Sequence, residues 1–304
     1  MPLVALSAAL WGTDALFRRG LALELPATTV VVYEHLILAL IMAPILLRIP
    51  WRRLSTGDLW ALTLIGAGAS ALATGLFTAS FRFGDPNTPL LLQKLQPFIA
   101  IIAARYLLGE RLRPRFGLYA TAAVAAAWLI TFPDPLHARM DAITAGALAA
   151  GAAALWALGT VLGRRMISRL SFVELTAARF GIGLPAALLF ALLVGSSDDG
   201  WGLAIETGDL FPLLLLALVP GLLALLLYYR GLRRTPASAA TLAELAFPGS
   251  ALLVNYVAFG ASVTATQFLG VLILSGTLVA MSLAGREDAE VVGIEASVGA
   301  QRAD

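Results

Sequence analysis

Lys94 is the only lysine in a chain of 304 residues, and it stands inside an apolar run, LLLQKLQPFIA at 90–100. An ammonium group there can hold a carboxylate, and the amides of Gln93 and Gln96 can hydrogen-bond a polar solute. Other ionisable residues interrupt apolar stretches elsewhere: Asp14, the neighbours Glu34 and His35, Arg179 and Glu244. An acid beside a histidine could serve as a general base, yet no nucleophile or metal set accompanies it at recognisable spacing. The chain has no cysteine and two histidines, His35 and His137. Disulfides, thiolate chemistry and a histidine-rich metal site are thereby excluded. No G-x-x-x-x-G-K-[ST] loop occurs, and no cofactor is expected. What remains is recognition chemistry: charges of both signs, amides and aromatic rings set among apolar residues.

The surroundings of these groups are lipid-like. Hydrophobic residues make up 59% and charged residues 13%, with a mean hydropathy of +0.85. A soluble domain carries about 25% charged residues, so an all-α integral membrane protein is expected. A charge at the centre of a bilayer helix costs roughly 2.5–3.5 kcal/mol, so each one needs a partner or a purpose. At about 20 residues per crossing, ten spans fit the apolar stretches, near 3–20, 27–48, 59–81, 88–108, 114–132, 143–163, 172–194, 209–231, 236–259 and 264–284. The first lacks a basic leader and is expected to be a span, not a cleaved signal. Connections are short, which leaves no room for a soluble catalytic domain. The tail at 285–304 is polar and mixed in charge, and is expected to be disordered.

Orientation follows from arginine. Thirteen fall in the connections on one side: Arg48, Arg52, Arg53, Arg105, Arg111, Arg113, Arg115, Arg164, Arg165, Arg169, Arg230, Arg233 and Arg234. Four fall on the other side: Arg18, Arg19, Arg82 and Arg139. Positive residues stay inside, so both termini are expected in the cytoplasm and the calculated pI near 9.2 is a property of topology.

The chain also repeats itself. AALWGTDALFRRGL at 8–21 resembles AALWALGTVLGRRMI at 153–167, with Trp11 matching Trp156 at an offset of 145. LQKLQPF at 92–98 aligns with AELAFPG at 243–249, where Pro97 matches Pro248 at an offset of 151. Residues 1–133 and 142–284 thus read as two copies of a five-helix unit. Five is odd, so the second copy enters the membrane inverted, an arrangement common in transporters.

On these residues the chain resembles a known group. ALWG at 9–12, GERL at 109–112 and the five-plus-five arrangement are similar to the drug/metabolite transporter superfamily and, within it, to EamA-type exporters, over residues 1–284. The second half keeps ALW at 154–156, AARF at 177–180 and RGLRRTPASAA at 230–240. It departs at GASV, 260–263, and the first half has YEHL at 33–36 where arginine is usual. The most similar group is the aromatic and neutral amino-acid exporters. The resemblance implies a secondary transporter in a bacterial inner membrane, moving a small metabolite by alternating access between the halves. Efflux of drugs or cationic amphipaths is the alternative. One chain can supply a whole pathway, an oligomer stays open, and nucleic acid is not an expected partner.

Placed on the repeat, Glu34 aligns with Arg179, and Gln93 aligns with Glu244. By rise per residue, Glu34 and Lys94 both lie about 9–10 Å below one surface. Arg179 and Glu244 lie about 10–12 Å above the other. Two intramembrane ion pairs are expected, Glu34–Lys94 and Arg179–Glu244, with each basic group either lining a cavity or serving only its acid. Arginine is usual at the Arg179 position in EamA-type proteins, which favours a structural role there. Asp14 shares a helix face with Trp11 and could instead pair only with Arg18, one turn on. Pro97 and Pro248 remove hydrogen bonds to the carbonyls of Gln93 and Glu244, which predicts broken helices beside a midplane site. Trp11 and Trp156 are candidates for lining it. Phe77 and Phe81 on span 3, with Tyr228 at the matching end of span 8, are binding or packing aromatics. The small-residue runs GAGA at 66–69 and GTVLG at 159–163 carry helix packing and no chemistry.

Overall fold

The computed structural model describes residues 2–83, 85–107, 109, 115–132, 134, 139–194, 203–232, 243 and 246–301. Every regular element among them is helical. Among the described residues, seven helices are long and apolar enough to cross a bilayer. They are spans 2 (Ala27–Leu46), 3 (Thr56–Ser80), 4 (Asn87–Leu107), 6 (Met140–Gly163), 7 (Phe172–Val194), 8 (Thr207–Tyr228) and 10 (Ala265–Ala284). Spans 5 and 9 are shorter apolar helices, Phe116–Thr131 and Ala246–Phe259. Span 1 is divided at Thr13 into Pro2–Gly12 and Asp14–Glu24, so neither piece alone reaches membrane length. Together these make the ten-span fold of two inverted five-helix halves. Glu110–Leu112 of the GERL turn, and most of 236–245 at the start of span 9, lie outside the described residues.

Packing follows the two-fold relation of the halves. Spans 2 and 7 pack together, as do spans 5 and 10. Span 1 lies against spans 8 and 9, and span 6 against spans 3 and 4. Exchanging the halves maps this set of contacts onto itself. Leu40, Phe211 and Val257 are among the large apolar residues left exposed, which in a membrane is the surface given to lipid. Between helices the driving force is close packing of small residues, since lipid is as apolar as leucine.

The repeat is also written into irregular backbone. Span 3 widens into a π-helical stretch at Leu64–Leu72, and span 8 does so at Ala217–Leu223. In span 8 the cause is local: Pro220 has no N–H to return to the preceding turn. In span 3 the sequence LIGAGASAL offers little side chain to resist widening. Gly109 and Gly260, 151 residues apart, both have positive φ, 70° and 63°. Both turns therefore use a conformation that favours glycine.

Two expectations need correction. Span 1 runs to Glu24, not to residue 20, which moves Arg18 from a connection into the helix interior. The tail does not become irregular after span 10. The helix continues to Gln301, in a segment rich in the helix formers alanine and glutamate.

Candidate functional site

Span 1 supplies the first part of the site because it breaks. Gly12 faces Phe247 O and Ala251 N of span 9 so closely that a Cβ could not be added, and Thr13 turns its hydroxyl back to Leu10 O at 2.7 Å. A new helix then starts at Asp14, where an acid suits the positive end of the helix dipole. One turn on, Arg18 donates to both Asp14 oxygens, Nε to Oδ1 at 2.7 Å and Nη2 to Oδ2 at 3.0 Å. Its remaining N–H groups reach Glu34 of span 2, at 3.0 Å to Oε2 and 3.3 Å to Oε1, and Thr78 Oγ1 of span 3 at 2.8 Å. All five N–H donors of the guanidinium are used. The residues are 9%, 3% and 7% exposed for Asp14, Arg18 and Glu34. A buried planar fork of this kind is held by geometry as much as by charge.

This arrangement replaces the expected Glu34–Lys94 pair. Both oxygens of Glu34 accept from Arg18. The cause is the longer first span, which places Arg18 at the depth where Lys94 was expected to serve. The Arg179–Glu244 pair lies outside the described residues, because Glu244 does. Arg179 itself donates through Nε to Ser70 Oγ at 3.2 Å and through Nη2 to Ala69 O at 2.8 Å. Ala69 and Ser70 belong to the π-helical stretch of span 3; Ala69 is the last residue of the run GAGA expected to carry only packing, and Ser70 follows it. Span 8 shows a related contact: Ala224 O, one residue past its π-helical stretch, accepts from Ser7 Oγ of span 1 at 2.6 Å.

Glu34 and His35 do not act on one another's partners. His35 Nδ1 lies 2.9 Å from Val31 O, so it is the donor nitrogen and Nε2 accepts from Ser70 Oγ at 2.9 Å. The ring is 1% exposed and packs edge-on against Phe180. Glu34 is engaged by Arg18 and His35 by Ser70, which leaves neither arranged as a general base.

Aromatic residues link the halves in two matched pairs. Trp11 of span 1 meets Tyr228 of span 8 with ring centroids 5.1 Å apart, and Trp156 of span 6 meets Phe77 of span 3 at 5.2 Å. These separations and tilts suit the ring quadrupoles. Phe77 also carries the Arg18 guanidinium 5.4 Å above its centroid, so the ionic cluster and the aromatic pair are in direct contact. Trp11, Trp156 and Tyr228 are half-buried and Phe77 is fully buried.

Span 4 brings the amides and the lysine. Its helix tightens into a 3₁₀ turn at Gln93–Leu95, just before Pro97, where the proline predicted a break. Gln93, Lys94 and Gln96 are half-buried. Lys94 Nζ sits 4.4 Å from the centroid of Phe247 on span 9, an attraction of cation and ring face. Gln96 Nε2 donates to Thr160 Oγ1 at 3.1 Å, one turn from Trp156. Two clefts of about 220 and 360 Å³, one beside Trp128 and the other beside Glu24 and Glu206, contain none of these residues. The four-residue spacing of Asp14 and Arg18 offered their pairing as an alternative, and that contact forms. Sequence reasoning missed the reach of Arg18 to Glu34, and missed Ser70 and Thr78 altogether.

Comparison with known proteins adds the following. Residues 1–132 and 144–283 match the EamA-like transporter family. The riboflavin transporter ImpX of Fusobacterium nucleatum subsp. nucleatum is 30% identical over 293 residues, which is 92% of this chain and 96% of that protein. The uncharacterized transporter YwfM of Bacillus subtilis is 28% identical over 230 residues, 75% of each chain. A crystal structure 17% identical to this chain superposes with a TM-score of 0.62, over 94% of this chain and 97% of that one. That likeness concerns the fold.

Proposed function

Because this chain belongs to the EamA-like transporter family, we propose that it is a secondary carrier for a small aromatic solute, taken up between its two halves. The observation that carries this reading is the matched aromatic pairing, Trp11 with Tyr228 and Trp156 with Phe77. Flat rings suit apolar sites with a few placed polar groups, and Gln93 and Gln96 supply amides nearby. Riboflavin is the first candidate, since a fused heteroaromatic ring stacks well on indole and phenol faces and a relative of nearly equal length is named for it.

Aromatic and other neutral amino acids form the second reading, favoured by Lys94. Its ammonium stands at the broken turn of span 4 over Phe247, where a substrate carboxylate could displace the ring. A flavin has no carboxylate and would make no such demand. The arginine bias supports a bacterial inner membrane location with both termini in the cytoplasm. It strengthens once Arg18 is assigned to the interior of span 1.

Counterflow in proteoliposomes tests the proposal. Vesicles preloaded with unlabelled riboflavin are expected to accumulate labelled riboflavin transiently and saturably, with tryptophan, phenylalanine and a lipophilic cation run in parallel. Counterflow of the amino acids alone would replace the first reading by the second. Counterflow of the cation alone would remove both in favour of amphipath efflux.

A further inference from the structure

We propose that two buried polar contacts, Asn87–Asn255 and Asp85–Gln267, are the gate that closes the face of the molecule carrying the 3–4 and 9–10 connections. Each joins residues of opposite halves, the bodies that must separate for access to alternate. Asn255 Nδ2 donates to Asn87 Oδ1 at 2.8 Å, and both residues are 0% exposed. Gln267, 1% exposed, donates through Nε2 to Asp85 Oδ2 at 2.8 Å and to Ile130 O at 3.3 Å. Asp85 in turn accepts from the backbone N–H groups of Asn87 and Thr88, which fixes it to the first turn of span 4.

Three features mark these contacts as a gate and not as packing. The amide pair is incompletely satisfied: Asn87 Nδ2 and Asn255 Oδ1 are buried with no partner. Buried polar atoms left idle weaken the closed contact, as a gate that opens repeatedly requires.

The second feature is one-sidedness. At the repeat offset of 151, the residues corresponding to Asn255 and Gln267 are Ala104 and Phe116, and those corresponding to Asp85 and Asn87 are Pro236 and Ser238. The opposite face cannot build the same network. Among the described residues, the cross-half bonds toward that face include Gln96 to Thr160, which is exposed, and Arg179 to Ser70 and Ala69, which uses a guanidinium and no amide pair.

The third is a single moving edge. Span 9 presents Phe247, Ala251, Asn255 and Phe259 at four-residue spacing, one helix face. They meet Lys94, Gly12, Asn87 and Arg19 respectively. Swinging span 9 away from spans 1 and 4 breaks all four contacts together.

The test uses the absence of native cysteine. Ala251, 0% exposed, lies one turn inside Asn255, and Ala251→Cys in the full chain gives a single reporter for a membrane-impermeant maleimide. Asn255→Leu strands Asn87 in the closed state and is expected to raise the labelling rate roughly tenfold, the effect of one lost buried hydrogen bond with its partner unpaired. Gln267→Met breaks the other contact and is expected to act in the same direction. It also carries the test should Asn255→Leu fail to fold. Asn87→Leu/Asn255→Leu leaves no stranded amide, and labelling is expected to return to the starting rate or below. Unchanged labelling in both Asn255→Leu and Gln267→Met overturns the gate, as does a double variant labelled as fast as the single. None of these readouts depends on which solute is carried.

Discussion

The two halves agree in backbone and differ in charge. Both have a π-helical stretch in their third span, a positive-φ glycine after their fourth, and an aromatic ring on their first span that meets the other half. At the offset of 145, however, Asp14, Arg18 and Glu34 become Gly159, Gly163 and Arg179. In the first half span 1 breaks to present an acid and a guanidinium. In the second, span 6 is continuous from Met140 to Met166, and Gly159 lies so close to Ala69 that a side chain has no room. Duplication thus preserved the frame that moves, while the ionic cluster belongs to one half. Among the described residues, the buried ionic cluster stabilises one side of the frame, and close packing at the equivalent positions stabilises the other.

The largest expected effect breaks the charged half. Arg18→Leu strands two buried carboxylates, and removing one member of a buried pair costs about 3–5 kcal/mol. The variant is expected to be lost or to unfold well below wild type on thermal scanning in detergent. Glu34→Gln sharpens the same point, because Arg18 and Asp14 remain a matched pair, and its midpoint is expected to shift far less than that of Arg18→Leu. Equal losses for the two would contradict the assignment of Arg18 as the centre of the cluster.

The packed half fails differently. Gly159→Leu overfills the contact with Ala69, at a cost of about 1–3 kcal/mol, read from the same scan. Smaller again are the aromatic exchanges. Trp11→Ala and Trp156→Ala are each expected to weaken apparent solute affinity by roughly tenfold, the scale of one lost ring contact, and by similar factors, because their positions are equivalent. A loss confined to one of them would show that the aromatic pairs, like the charges, have diverged. Lys94→Ala is the smallest change for a solute without a carboxylate. Riboflavin counterflow is expected to change by no more than a few-fold, the scale of one cation–ring contact of about 0.5–1 kcal/mol, whereas amino-acid counterflow would fall much further.

The sequence made the spans legible because apolar runs of membrane length leave few alternatives. Pro97 announced the broken turn at Gln93–Leu95 for the same kind of reason: a missing N–H has one consequence wherever it occurs. The division of span 1 was not legible, since nothing in GTD forbids a continuous helix. Arg18 was misplaced because hydropathy ends a span at the first basic residue, and RR at 18–19 looks like an end. Contacts such as Asn87–Asn255 and Asp85–Gln267 join residues 168 and 182 positions apart. No local pattern encodes them, and they emerge only when the halves are set against each other.

The central claim, that rings contributed by both halves bind an aromatic solute, is tested most directly by titrating purified protein into riboflavin and following flavin fluorescence, which falls when the ring stacks on indole. Saturable quenching that weakens in Trp11→Phe and again in Trp156→Phe is the predicted result. Quenching that never saturates, or that is identical in the double variant, would contradict it.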